Sequence, residues 1–279
     1  MQKVRDNWLF LLWLIASALI VLAVIGFIIG YIFLHGIKSI SLEFLLSHPE
    51  GIPLGSEGGI LPAIVGSLLL TLIACGFASV LAVVTAIYIS FYCQSRQLET
   101  LIHIIVQCMA GVPSIVVGLF GYTFLVAKLN LGRSLLSAGL TLGVMIFPFI
   151  EVRVEKSLRE FSSAILQSSY ALGVSKAYAL LNLILPQCKG DIVAAVTLAG
   201  GFAMGAAAPI ILTGAVIFAP IPRSLSSPVM ALPFHLYILT GEGISLDKAH
   251  ATALVLMALV FAINIVSITL TCGRKEVGR

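Results

Sequence analysis

Read from the amino end, the chain alternates long uncharged runs with short polar segments, and the runs set the elements. Asn7 to Leu34 contains no Asp, Glu, Lys or Arg and follows Lys3 and Arg5. About 20 helical residues cross roughly 30 Å of hydrocarbon, so this run predicts a first membrane span. It outruns the apolar core of a secretory leader and ends at Tyr31-Ile-Phe-Leu-His35 rather than at small residues, which favours a span over a cleaved signal. A polar connector with Lys38, Glu43, Glu50 and Glu57 follows, with a short helix near Ser41 to Leu46. Further apolar runs predict spans near Ala63 to Tyr88, Leu101 to Ala127, Leu135 to Ile150, Ile192 to Phe218 and Ala249 to Cys272. The third is interrupted at Gly111, Pro113, Gly118 and Gly121, and the largest polar insertion, Glu151 to Asp191, separates the fourth from the fifth.

Composition agrees with this pattern: 59 % of residues are hydrophobic and 10 % charged, where soluble domains carry about a quarter. With a mean hydropathy of +1.11, an ordinary soluble globular protein is excluded. The fold class expected is all-α integral membrane with six transmembrane helices. Lys3, Arg5, Arg96, Arg153, Lys156, Arg159, Lys176, Lys189, Arg274, Lys275 and Arg279 then fall on one side, against Lys38, Lys128, Arg133, Arg223 and Lys248 on the other. That excess places both termini in the cytoplasm. The basic residues form no patch, so nucleic acid is not an expected partner.

No catalytic residue, metal ligand or cofactor is expected. The five cysteines lack CxxC spacing and read as small hydrophobes, and the chain has neither HExxH nor a phosphate-binding loop. Any ATP would be hydrolysed by another chain. No span carries a fixed charge at its middle, which argues against a proton-driven carrier; His103 and His250 read as interfacial histidines. The spacings Gly26/Gly30, Gly139/Gly143 and Gly201/Gly205 suit close helix packing.

Two stretches carry candidate chemistry. Pro113 removes a donor inside a span and frees a carbonyl, with the Ser114 hydroxyl beside it; such breaks are tolerated where they line a cavity. In the inner insertion Leu158, Phe161, Ile165 and Leu172 form one apolar stripe, predicting an amphipathic helix closed by Gly173 at positive φ. A second short helix, Lys176 to Ile184, is expected to stop before Pro186. Physics alone leaves two uses open for this element, docking on a partner or lying on lipid headgroups.

The stretch Gln167-Ser168-Ser169-Tyr-Ala171-Leu-Gly173, then nine residues to Leu183-Ile-Leu185-Pro186, resembles the EAA loop of importer-type ABC permeases. Gln167-Ser168-Ser169 stands where that family has Glu-Ala-Ala. Gly58 to Ser67, Gly111 to Phe120, Gly205-Ala-Ala-Ala-Pro209-Ile and Met230 to Tyr237 narrow the resemblance to phosphate permeases of the PstA type. The resemblance implies a type I importer permease fold. It divides the chain into residues 1–57, a first helix with its extracytoplasmic connector, and 58–279, the permease core, whose coupling loop spans about 155–186. It also implies a PstC-like second permease, a PstB-like ATPase dimer, a PstS-like phosphate-binding protein and a cytoplasmic-membrane location. Pro113, Ser114, Arg153, Gly205, Pro209 and Thr213 would then line the pathway. Phe202 and Ala206 replace an Arg and a Glu common in those permeases, and Val152 occupies the position of another Arg. Rival readings are a permease for another oxyanion or small polar solute, a secondary carrier or channel, and a non-transporting sensor of phosphate status.

Overall fold

The computed structural model describes residues 2–160 and 168–272. Helix α1 (Gln2–Gly36) is the first span, followed by α2 (Leu42–Leu46), whose first turn is capped by the Ser41 hydroxyl accepting from the Phe44 amide at 3.0 Å. A small hairpin pairs β1 (Pro49–Glu50) with β2 (Glu57–Gly58), and Lys248 Nζ donates to the Gly58 carbonyl at 2.9 Å. Helix α3 (Leu61–Ile87) widens into a π turn over Tyr88–Tyr92. The third span is α4 (Arg96–Gly111) and α5 (Ser114–Gly121), the latter continuing as a π segment over Tyr122–Lys128. Next come α6 (Leu135–Glu160), α7 (Lys176–Ala179) with a π segment over Leu180–Ile184, and α8 (Leu185–Gly205). The last are α9 (Ala208–Thr213), α10 (Leu232–Gly241) and α11 (Leu246–Cys272). Among the described residues five helices are long and apolar enough to cross a membrane, and six with the bent α4–α5 pair counted as one.

The centre of the bundle is α3 against α6 and α6 against α8. Between lipid-solvated helices no hydrophobic driving force remains, so close backbone approach and dispersion set the packing. Helix α3 supplies Ala74, Ala78, Ala82 and Ala86, all fully buried, at a spacing of four. Helix α6 supplies Gly139 and Gly143: a Cβ on either would stand 2.6 Å from Ile73 or 2.7 Å from Phe77. The other glycine pairs differ. Gly201 faces Asn264 and Val260 at 3.4 and 3.6 Å, while Gly26, Gly30 and Gly205 have open space around them.

Three expectations need correction. The fourth span does not end at Ile150; α6 continues to Glu160 because Glu151, Val154, Glu155 and Leu158 keep the same inward stripe. Leu158 therefore closes α6 rather than opening an amphipathic helix, and Phe161, Ile165 and Gln167 lie outside the described residues. The fifth span ends at Gly205, not Phe218: Ala206 is extended (φ −83°, ψ 114°), and Pro209, lacking a donor, opens the short α9. Pro186 does not stop the chain either. The π segment before it ends with Leu185 in the right-handed region, and Pro186 is the second residue of α8, so the chain stays helical through it.

Candidate coupling turn and translocation cleft

The turn between α6 and α7 is closed by its backbone. Gly173 has φ +79°, its amide donates to the Tyr170 carbonyl at 3.0 Å, and the Val174 amide donates to Ser169 at 3.1 Å. These paired bonds are the Schellman closure of a helix end, which needs a left-handed residue and so favours glycine. Two residues on, the Ser175 hydroxyl accepts from the Tyr178 amide and starts α7. Lys176 Nζ donates to the Phe91 carbonyl and lies 4.8 Å from the centre of the Tyr92 ring, tying the turn to the end of the second span. Ser168, Ala171, Leu172 and Tyr178 are exposed, Ser169 is buried, and Leu185 and Pro186 begin α8. The turn thus presents apolar side chains, Leu172 at 83 % exposure among them, on a stiff base.

Pro113 caps α5, and the α4–α5 axis bends by 101° there. The bent span meets the short helix α9 at this level: a Cβ on Gly118 would stand 2.9 Å from the Pro209 Cα, so α5 rests directly on α9. Ser114 is half-buried at the first turn of α5. Thr213 is fully buried and its hydroxyl donates to the Pro209 carbonyl at 2.7 Å.

Arg153 is elsewhere. It lines a cleft of about 550 Å³ between α6, α8 and α11 with Phe149, Leu198, Phe202, Val260 and Asn264. Among the described residues Arg153 makes no ion pair or hydrogen bond. The Phe149 and Phe202 rings are 5.1 Å apart, and Asn264 Nδ2 donates to the Val260 carbonyl, leaving its side-chain oxygen as an acceptor. Val144, which lines the small cavity at the Pro113 break, precedes Arg153 by about two and a half turns. The break and the arginine therefore occupy opposite faces of α6.

One cluster escaped the sequence reading. His103 Nε2 lies 3.0 Å from both Glu155 carboxylate oxygens, Arg159 Nε donates to Glu155 at 2.6 Å, and Arg159 Nη2 reaches Glu99 at 2.5 Å. Glu151, one turn along α6 from Glu155, is fully buried, with no N–H donor on it and the Glu155 carboxyl as its side-chain neighbour. The signal was the four-residue spacing of Glu151, Glu155 and Arg159, which puts all three on one helical face. Its pairing with a histidine on another span depends on the bend.

Among the described residues, five helical spans, or six with the span bent at Pro113, define a multi-pass helical membrane protein. Residues 78–271 match the binding-protein-dependent transport system inner membrane components, and the chain belongs to that family. It is 28 % identical over 214 residues to the phosphate transport system permease protein PstA 2 of Mycobacterium bovis, covering 74 % of this chain and 71 % of that one. It is 29 % identical over 210 residues to the probable phosphate transport system permease protein PstA of Methanocaldococcus jannaschii, covering 75 % and 74 %. A PstA homolog from Mycoplasma pneumoniae is 26 % identical over 94 % of this chain, which spans only 41 % of that relative. In fold the chain is similar to a chain of the MetNI methionine ABC transporter, at TM-score 0.66 and 18 % identity over 79 % of this chain and 96 % of that one. It is also similar to a chain of a bacterial alginate ABC transporter, at TM-score 0.67 and 14 % identity over 99 % and 98 %.

Proposed function

We propose that this chain is one half of the membrane channel of an ABC importer for inorganic phosphate. In this reading residues 1–57 are accessory, 58–279 form the permease core, both termini are cytoplasmic, and the membrane is the cytoplasmic one. Its partners are a PstC-like permease, a PstB-like ATPase dimer and a PstS-like binding protein. The observation that carries the substrate is Arg153, without an ion pair or hydrogen bond among the described residues, in a cleft whose other lining is apolar apart from Asn264. An anion in low dielectric costs several kcal/mol unless a cation or donors meet it, and a free guanidinium offers both. The PstA names of the relatives point the same way.

The chain contributes a largely neutral wall. Phe202 faces the cleft where the resembling permeases carry Arg, and Ala206 replaces their Glu, so the partner permease supplies that pair. Gly205, at the end of α8, has open space around it, while Pro113, Ser114, Pro209 and Thr213 form the seam that flexes as the pathway opens. ATP-driven closure of the ATPases moves the Gln167-Ser168-Ser169, Ala171 and Gly173 turn, and the Leu185-Pro186 start of α8 carries that motion into the spans. The permease itself makes and breaks no covalent bond.

Uptake of radiolabelled phosphate by the complex reconstituted in vesicles tests this. Arg153→Ala should slow phosphate accumulation while Arg153→Lys retains part of it. Import of a different oxyanion in place of phosphate would overturn the substrate and leave the importer class standing.

A further inference from the structure

From Lys176 to Gly205 the backbone is helical throughout, so α7, the π segment and α8 make one rod whose first residue follows the Ser175 cap. This rod touches α3 in the middle of the bundle, where Cys75 Sγ donates to the Val196 carbonyl at 3.7 Å and a Cβ on Gly200 would stand 2.8 Å from the same sulfur. Toward the turn the seam opens. Val80, Val83 and Val84 of α3 and Ile192, Val193 and Val196 of α8 line a groove of about 500 Å³ between the two helices.

Beyond that groove Lys176 joins them again. The π turn that ends α3 stops at Cys93, which is extended, so the last carbonyls of the helix have no further amide of their own to accept from. Lys176 Nζ donates to one of them, that of Phe91, and stands 4.8 Å from the centre of the Tyr92 ring. A cation is favoured at a helix C-terminus and over an aromatic face, and here one ammonium meets both. Among the described residues no carboxylate forms an ion pair with Lys176, so these two groups are the partners of its charge.

We propose that Lys176 makes α3 a second receiver of the motion of the turn, in parallel with the covalent path into α8. The inference rests on the reading of the turn as the segment that docks the ATPase. Displacement of the turn enters α8 because Lys176 begins the same rod. It enters α3 because carbonyl and ring hold that first residue to the last turn of α3. Helix α3 in turn packs on α6 at Gly139 and Gly143, so what α3 receives passes to the centre of the bundle. Lys176 is a positioning residue and touches neither nucleotide nor solute. Arginine keeps the donors, the charge and the ring contact, whereas methionine keeps the apolar stem and loses the donor and the charge.

The test uses the full chain assembled with its ATPase in lipid nanodiscs, with its accessible native cysteines replaced by serine. One spin label replaces the exposed Glu242 between α10 and α11, and a second replaces either the exposed Gln94, just past α3, or the exposed Gln187, near the start of α8. Pulsed electron paramagnetic resonance measures each separation with and without a non-hydrolysable ATP analogue. With Lys176 intact, both separations should shift on nucleotide binding. Lys176→Met should keep the shift at Gln187 and lose the one at Gln94, and Lys176→Arg should restore it. A general loss of folding would remove both shifts, so the selective loss with rescue by arginine is specific to the tie. A shift at Gln94 that survives Lys176→Met, or that is absent with Lys176 intact while Gln187 responds, overturns the tie and leaves the coupling reading standing. No shift at Gln187 with Lys176 intact overturns the coupling reading and the tie with it.

Discussion

Replacing Gly173 isolates the backbone contribution of the turn proposed to couple to the ATPase. The residue has φ +79°, and a Cβ built on it meets nothing within 4 Å. Any effect of substitution within this chain therefore comes from the left-handed conformation and not from a clash. A non-glycine residue there costs roughly 1 to 2 kcal/mol through its Cβ and the following carbonyl, and a β-branched one about 2 to 3 kcal/mol. At about 1.4 kcal/mol per tenfold, Gly173→Val lowers the population of the closed turn roughly 30- to 160-fold. Asn visits the left-handed region through a local hydrogen bond, so Gly173→Asn should lose much less, with Ala between them. The assay is copurification of the ATPase with the permease and substrate-stimulated ATP hydrolysis in the assembled complex. The expected order of retained coupling is Gly, Asn, Ala, Val. If Val couples as well as Gly, the turn does not transmit motion; if Asn is as damaging as Val, side-chain size decides and the conformational explanation is wrong.

Gly139→Leu should lower the melting temperature of the detergent-solubilised protein, because its Cβ would stand 2.6 Å from Ile73 and such overpacking costs about 1 to 3 kcal/mol or more. Gly26→Leu, with open space around it, should melt like the wild type, and equal losses at both positions would refute the α3–α6 seam. Outside the spans, burial against Thr252 and Phe218 holds the His235 imidazole down from 6.5 to about 4, with the Lys248 ammonium a smaller cause. A folded value below the unfolded one gives a contribution that is complete above pH 6.5 and fades as pH falls toward 4. His235→Phe should flatten that part of the stability profile, measured as the difference from wild type between pH 7 and 4, and an unchanged slope would count against it. For topology, a cysteine replacing Ile52, fully exposed at the hairpin, should react with an impermeant maleimide outside intact cells, and one replacing Tyr178 should not. The reverse labelling would invert the orientation.

Much of this was legible in the sequence, since lipid reads composition directly. A segment must bury its backbone polar groups in its own helix and show an apolar surface, so the uncharged runs fixed α1, α3, the outer part of α6 and α11. Local chemistry also predicted the bend at Pro113 and the positive φ of Gly173, because both follow from one residue's covalent structure. Tertiary packing decided the rest. Hydropathy ended the fourth span at the first charges, yet α6 runs ten residues further because its neighbours cover Glu151 and Glu155. Which small residues pack closely, Gly139 and Gly143 but not Gly26 and Gly30, depends on what stands opposite, and spacing along one helix carries no record of that. The same holds for the separation of Arg153 from the Pro113 break and for the meeting of His103 with Glu155, residues 52 positions apart. A span specifies its own length and stripe; a polar contact between spans needs the rotation of both helices, which only their mutual packing sets.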